Sequence, residues 1–326
     1  GKPQRCSVTH PLGDRSVEAA WLRLDDAPAE GPDAVDEMAS GSGLVLVPPE
    51  RRDPLRTTTA GTGELIEAAV RSGARRIWLT LGGSATVDGG TGAASALWWR
   101  FLDAEGRPVH QGGGGLERIA TIEPPGDRLE AEFTALCDVD NPLLGPRGAA
   151  RVFGPQKGAG PAVVDRLERG LDHLADLIHS ELGVDVTGLA GGGAAGGFAA
   201  GAVAFLGARL DRGVDRILEA VAFSEALRDA DWVVTGEGRL DTQSLDGKVV
   251  DGVLARARAA GVRVAVLAGR VALDPDAVAE AGISYVAGAA SDAIDEGQAF
   301  DEAAARLARI AREFARTCLS ETAAEG

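Results

Sequence analysis

Five glycine-rich loops hold the side chains of this chain that could do chemistry. They are residues 82–92 (GGSATVDGGTG), 137–149 (CDVDNPLLGPRGA), 153–160 (FGPQKGAG), 191–197 (GGGAAGG) and 235–248 (TGEGRLDTQSLDGK). Only three of the 33 basic residues are lysine, and two of those, Lys157 and Lys248, fall in these loops. A chain that uses arginine almost everywhere else keeps a compact ammonium there in place of a planar guanidinium fork. Beside exposed backbone N–H groups, such a point charge suits a phosphate. Chance retention under a compositional bias is the plain alternative for either lysine alone.

In the first loop, Gly82 and Gly83 free backbone N–H groups, Ser84 and Thr86 add hydroxyls, and Asp88 could hold Mg²⁺ or accept a hydroxyl proton. The competing assignment is a tight strand-to-helix turn with Asp88 as an N-cap. The second loop carries Asp138, Asp140 and the chain's only asparagine, Asn141. Two acidic oxygens and an amide could coordinate magnesium or orient a small polyol, whereas an Asx-turn before Pro142 would need only one of them. In the last loop Gly236, Glu237, Arg239, Asp241 and Lys248 bring both signs of charge to the end of an apolar strand. Phosphoryl transfer wants that mixture, cations for phosphate and carboxylates for Mg²⁺ and the nucleophile; a solvated, salt-bridged loop would also produce it. It is not a Walker A loop, because Thr242 and Val249 stand where GxxxxGK[ST] needs Gly and Ser or Thr, and no strand–GxGxxG–helix dinucleotide fingerprint is present. The 191–197 glycines fit close helix-to-sheet packing as well as phosphate binding.

These loops have to be positioned by strands and helices. Apolar runs of strand length occur at 16–24, 75–83, 132–140, 231–238, 262–269 and 283–290, separated by amphipathic helical patterns such as 61–73 and 299–319. Continuous apolar strands alternating with helices point to an α/β fold with a mostly parallel sheet covered on both faces. In such sheets ligands sit beyond the carboxyl ends of the strands, where these loops fall. The rhythm is clean from 229 onward and irregular over 103–160. Two domains are expected: a mixed α/β domain over 1–222 with the 82–92, 137–149 and 153–160 loops, and a Rossmann-like domain over 223–326 with the 235–248 loop.

Composition limits the partners. A net charge of −16 with no basic stripe excludes a nucleic-acid surface, and an anionic substrate must be drawn in by a local cluster. Cys6, Cys137 and Cys318 are too scattered for a disulfide framework or a zinc site, which suits the reducing cytoplasm. The uncharged stretch 186–208 is too glycine-rich for a membrane span and is expected to be a glycine loop entering a buried helix. The chain begins at Gly1 and its sole methionine is Met38, so it is expected either not to be a complete translated product or to have had a leader removed.

GGSATVDGGTGAASAL, CDVDNPLLGPRGAARVFGPQKGA, GGGAAGG and DWVVTGEGRLDTQSLDGK, in this order and preceded by EMASGSGLVLVP and TTTAGTGELI, together resemble the bacterial type I glycerate kinases. The resemblance covers essentially the whole chain. It implies ATP-dependent phosphorylation of D-glycerate with Mg²⁺ in a two-domain α/β architecture. On that reading Lys157, Lys248 and Arg239 neutralise phosphate and carboxylate charge, and Asp88, Glu237 or Asp241 hold Mg²⁺ or take the hydroxyl proton. Gly82, Gly83, Ser84, Thr86, Asp138, Asn141 and Gly236 then line the substrate and nucleotide sites. Lys157 and Lys248 are expected to face one another across an interdomain cleft. Val87 stands where the family usually has Asn, and Trp98 and Trp99 replace small residues. The family's opening strand and helix with an aspartate–serine–lysine motif, and its first acidic glycine loop, are not in this chain. A non-catalytic module binding a small anion or nucleotide is therefore the alternative expectation, with Lys2 only a residue near a cut end. Oligomeric state, and whether the 2- or 3-hydroxyl is phosphorylated, are left open by the sequence.

Overall fold

The computed structural model describes residues 1–25, 32–127, 129–245, 249–289 and 302–319. The chain divides into two compact units, Gly1–Gly213 and Val214–Gly326. The first contains β1 (Lys2–Thr9), β2 (Ser16–Arg23), β3 (Ala34–Glu37), β4 (Arg76–Thr80), β5 (Arg100–Leu102), β6 (Thr121–Glu123), β7 (Glu132–Leu136) and β8 (Arg209–Asp211). Six of these form one mixed sheet in the order β1-β2-β3-β4-β7-β8. The β1–β2 hairpin and the β2–β3 pair are antiparallel; β3, β4, β7 and β8 run parallel. β5 and β6 pair separately as a short antiparallel ribbon. Central β4 and β7 are apolar because helices cover the sheet. Helix Pro161–Leu177 shows why: Val164, Leu167, Leu171, Leu174 and Ala175 recur at helical spacing and are buried.

The second unit contains β9 (Trp232–Thr235), β10 (Arg239–Leu240), β11 (Arg263–Ala268), β12 (Arg270–Val271) and β13 (Tyr285–Gly288). A three-stranded parallel sheet runs β13-β11-β9, with β10 and β12 paired beside it as a parallel ribbon. β11 shows that both faces are covered. Val264, Val266 and Ala268 enter a core with Val250, Val253 and Ala257 of helix Val249–Ala260, while Ala265 and Leu267 enter another with Ile310 and Phe314 of helix Ala303–Phe314. Period-two alternation between two apolar faces is what a doubly covered strand requires. The architecture is α/β, as the alternation of apolar runs and helical patterns implies.

All six expected strands are present, each shorter at one or both ends than its apolar run, and the 61–73 pattern is helix Ala60–Arg71. The 186–208 stretch enters helix Phe198–Leu206, which buries Phe198, Ala199, Ala200, Gly201, Ala202 and Phe205. Among the described residues no helix is long and apolar enough to cross a membrane. Seven further strands among the described residues were not evident from periodicity, five of them (β5, β6, β8, β10 and β12) only two or three residues long. β1 is an edge strand with mostly exposed side chains, and Lys2 is built into it, 2.8 Å from Asp25. β3 is four residues long, and one of its two buried side chains is Asp36.

Neither carboxyl oxygen of Asp36 has a hydrogen-bond partner. Burial pushes its pKa well above the ordinary carboxyl value, and the nearby Glu37 charge adds to the rise. A buried, unsatisfied acid costs stability that an apolar side chain of similar size does not. Asp36→Val is therefore expected to stabilise the protein by about 1–3 kcal/mol in urea unfolding at neutral pH. Because folding raises this pKa, wild-type stability should fall as pH rises from the unfolded value through the folded one, and the variant should lack that loss. Equal or lower stability of Asp36→Val would refute this account.

Candidate functional site

The first unit gathers its glycine loops around one lysine. Lys157, at the end of the Pro155–Lys157 turn, is 2% exposed. Its Nζ donates to Ser84 Oγ at 2.8 Å and to the Thr86 carbonyl at 2.6 Å. Burial lowers its pKa from 10.5 to about 7, against the Asp88 charge, which pulls it back up. A neutral amine still has two N–H donors, so either protonation state can keep both contacts. Lys157 thus holds the 82–92 loop from within and presents almost none of itself to solvent.

Asp88 is 0% exposed. Its Oδ2 accepts from the Thr59 N–H at 2.8 Å, the Thr59 hydroxyl at 2.9 Å and the Gly92 N–H at 3.3 Å, and its Oδ1 from the Gly90 N–H at 3.2 Å. Those donors lie at the starts of helices Ala60–Arg71 and Thr91–Ala96, where backbone N–H groups lack intrahelical partners. Burial raises the Asp88 carboxyl above its ordinary value, opposed by the Thr59, Gly90 and Gly92 donors. The capping geometry is satisfied, and both oxygens are engaged.

The run Thr57–Thr58–Thr59, all buried, is the part of this site that single-residue reading missed. Thr57 Oγ1 donates to the Ala85 carbonyl, Thr58 Oγ1 to Gln111 Oε1, and Thr59 Oγ1 accepts the Ala93 N–H. Three consecutive threonines before a glycine-rich helix start were the available signal. The 191–197 loop closes the cluster from another side. Gly89 N–H donates to the Gly196 carbonyl, and a Cβ on Gly196, at φ +72°, would lie 2.0 Å from the Thr86 carbonyl oxygen. Val87 is buried in the apolar core, so its lack of polarity takes nothing from the loop's surface. Gly82 and Gly83 are exposed, Ser84 is buried, and Thr86 Oγ1 is a buried hydroxyl with no partner.

The 137–149 loop turns on itself. Arg147 bonds Asp140 at 2.6 Å, and the Asn141 amide donates to the Arg147 carbonyl at 2.7 Å. Asp138 is exposed and lies over Gly213.

In the second unit, Gly236 and Glu237 follow β9 at its carboxyl end. A Cβ on Gly236 would fall 2.1 Å from the Leu267 carbonyl oxygen, so only glycine lets the loop pack on β11. Glu237 Oε1 is buried without a hydrogen-bond partner. Arg239 and Asp241 pair at 3.3 Å, and the Asp241 N–H donates to Ser244 Oγ. Lys248 lies outside the described residues, as does the expectation that it faces Lys157. Among the described residues no cluster of three His, Cys, Asp or Glu side chains could hold a metal.

Comparison with known proteins extends this geometry. A sequence model described as the glycerate kinase family matches residues 1–319. A glycerate kinase from Bacillus subtilis (strain 168) is 44% identical over 311 residues, covering 94% of this chain and 80% of the relative. A glycerate 2-kinase from Escherichia coli (strain K12) is 42% identical over 320 residues, covering 97% and 83%. The crystal structure of a protein assigned as glycerate kinase 2 from Salmonella typhimurium LT2 superposes with a TM-score of 0.81 at 41% identity, over 99% of this chain and 84% of that one.

The buried lysine has a pH signature. Unfolding returns Lys157 from about 7 to the ordinary lysine value of 10.5, so between those values the unfolded chain binds more protons than the folded one. The cost of burying it is therefore full below the folded value and shrinks as pH rises through that window. Urea midpoints of the wild type should climb across it relative to Lys157→Met. Parallel profiles for the two proteins would contradict the burial of this ammonium.

Proposed function

The chain belongs to the glycerate kinase family and is a kinase, and from that premise we propose that it transfers the γ-phosphoryl group of ATP to a hydroxyl of D-glycerate. Transfer of this kind asks the protein mainly to position the reactants and to stabilise spreading negative charge. With a net charge of −16 the molecule as a whole repels anions, so that stabilisation has to come from the loops themselves.

In the first unit the exposed backbone at Gly82 and Gly83, followed by Ser84, supplies fixed donors for an anionic group. Lys157 and Asp88 act as positioning residues: one holds the loop through Ser84 and Thr86, the other ties it to two helix starts. Fixed donors need no reorganisation at the moment of reaction. In the exposed 137–149 loop, Asp138 and Asn141 are the candidates to orient hydroxyls.

In the second unit Arg239 and Lys248 supply positive charge for phosphate. The observation that carries the reading is Glu237, whose Oε1 stands unpartnered at the carboxyl end of a parallel strand. Magnesium fits this residue, because the ion takes only one or two carboxylates and completes its shell with phosphate oxygens and water. Glu237 with Asp241 would hold it, and when bound it neutralises charge on the phosphates. Gly236 keeps the Glu237 backbone fixed on β11.

The test is D-glycerate-dependent ADP release with ATP and Mg²⁺ in a coupled assay, with the product phosphate located by NMR. Glu237→Gln is expected to lower kcat about 100-fold, the scale of losing one electrostatic contact to the transferring group, while the circular-dichroism melt stays in place. Wild-type turnover in that variant would remove Glu237 from the mechanism. Tight glycerate or nucleotide binding without ADP release from the wild type would replace the kinase reading with a binding module.

A further inference from the structure

The first unit contains a cavity of about 490 Å³ that none of the glycine loops lines. That volume falls in the range of small-molecule sites, roughly 300–1,000 Å³. Its inner wall is aromatic. Trp99 and Phe205 meet with ring centroids 5.2 Å apart, and Phe101 backs Phe205 edge-on at 5.4 Å. These contacts fix the rings, so the wall is built and does not collapse into the space. Leu97 and Phe133 are buried beside it, while Leu129, Leu182 and Leu206 at its border are only partly covered. Apolar side chains left half-wet around a void retain burial energy that an apolar occupant would release.

The polar features are few. Pro124 and Pro125 lie on the lining and have no backbone N–H to offer. Among the described residues Glu181 is the one ionisable side chain on the lining, and its Oε2 accepts the Ile122 N–H at 2.6 Å. That anchor holds the carboxylate at the border with its other oxygen available for a donor. An anion would meet Glu181 unfavourably, so the lining does not suit glycerate or a nucleotide phosphate.

The place in the fold separates this cavity from the glycine-loop cluster. Helix Phe198–Leu206 starts against the 82–92 loop, through Gly196 and Gly197, and reaches the cavity at its other end with Ala204, Phe205 and Leu206. Nine residues of helix span roughly 12–14 Å.

We propose that this cavity is a binding site for a neutral, ring-bearing small molecule whose single hydrogen-bond donor meets Glu181. The occupant stacks on the Trp99–Phe205 wall and leaves the glycine loops clear.

N-phenyl-1-naphthylamine, neutral and aromatic with one N–H, is the probe. Titrated into the full chain, it should brighten saturably with one equivalent bound. Ala204→Trp, which fills the cavity from the helix, should weaken binding at least tenfold with an unchanged melt. Val203→Trp serves as a second filling variant on the same wall should Ala204→Trp fail to fold. Glu181→Gln should weaken binding several-fold and leave the stoichiometry at one. Brightening that does not saturate, or that survives the filling variant that folds, overturns the proposal. So does concentration-dependent self-association that the filling variant abolishes, since a second copy would then be the occupant. No turnover is measured, so these outcomes stand apart from the kinase reading.

Discussion

The first unit is organised around an ammonium group that has been taken out of water. Burying Lys157 is costly, and its cost is offset only in part by two short contacts, to Ser84 Oγ and the Thr86 carbonyl, and by the Asp88 carboxylate, which favours the charged form. A group so placed tolerates little movement of the loop it holds. The Thr57–Thr59 hydroxyls, the two helix starts tied by Asp88 and the close approach of Gly196 are all consistent with that demand. The loop is rigid because its interior is polar and nearly saturated. Thr86 Oγ1 is the exception, left without a partner.

Much of the fold was legible because the strands that matter are buried on both faces, or, as in β4, on one face and half-buried on the other. β4, β7 and β11 read as continuous apolar runs, and such runs between helical patterns leave few alternatives. β1 and β3 were not legible, for opposite reasons. β1 is an edge strand whose side chains mostly face solvent, so no period emerges. β3 is central but short, and it spends one of its two buried positions on Asp36. Polarity at a buried position defeats pattern reading wherever it occurs, and it occurs again in the loop cluster.

The candidate site was legible in residue type and less so in role. The lysine bias and the glycine loops singled out segments that the first unit draws together around Lys157, but a lysine in a glycine-rich loop looks like a phosphate ligand until burial is known. At 2% exposure Lys157 is instead a structural member of the loop it belongs with. The same holds for Asp88, whose capping and ligand-binding readings differ only in which donors surround it. The threonine run was visible in the sequence, but its hydroxyls declare their partners only in three dimensions. Glu237 is the reverse case: the loop offered it as one candidate carboxylate among several, and the structure adds an oxygen left without a partner.

The contacts from Lys157 to the 82–92 loop also order events in time. They join residues 73 and 71 positions apart in the chain. The β1–β2 hairpin and helix Ala60–Arg71 close on local contacts, but the loop that follows β4 has to wait for a segment far downstream. Closing so long an interval is entropically slow compared with forming a turn or a helix. During synthesis the glycine loop therefore emerges early and is held by Lys157 only after the chain from 93 to 157 has followed it. Within the first unit, the loop proposed to receive an anion thus acquires its form later than the hairpin and helix that precede it in the chain.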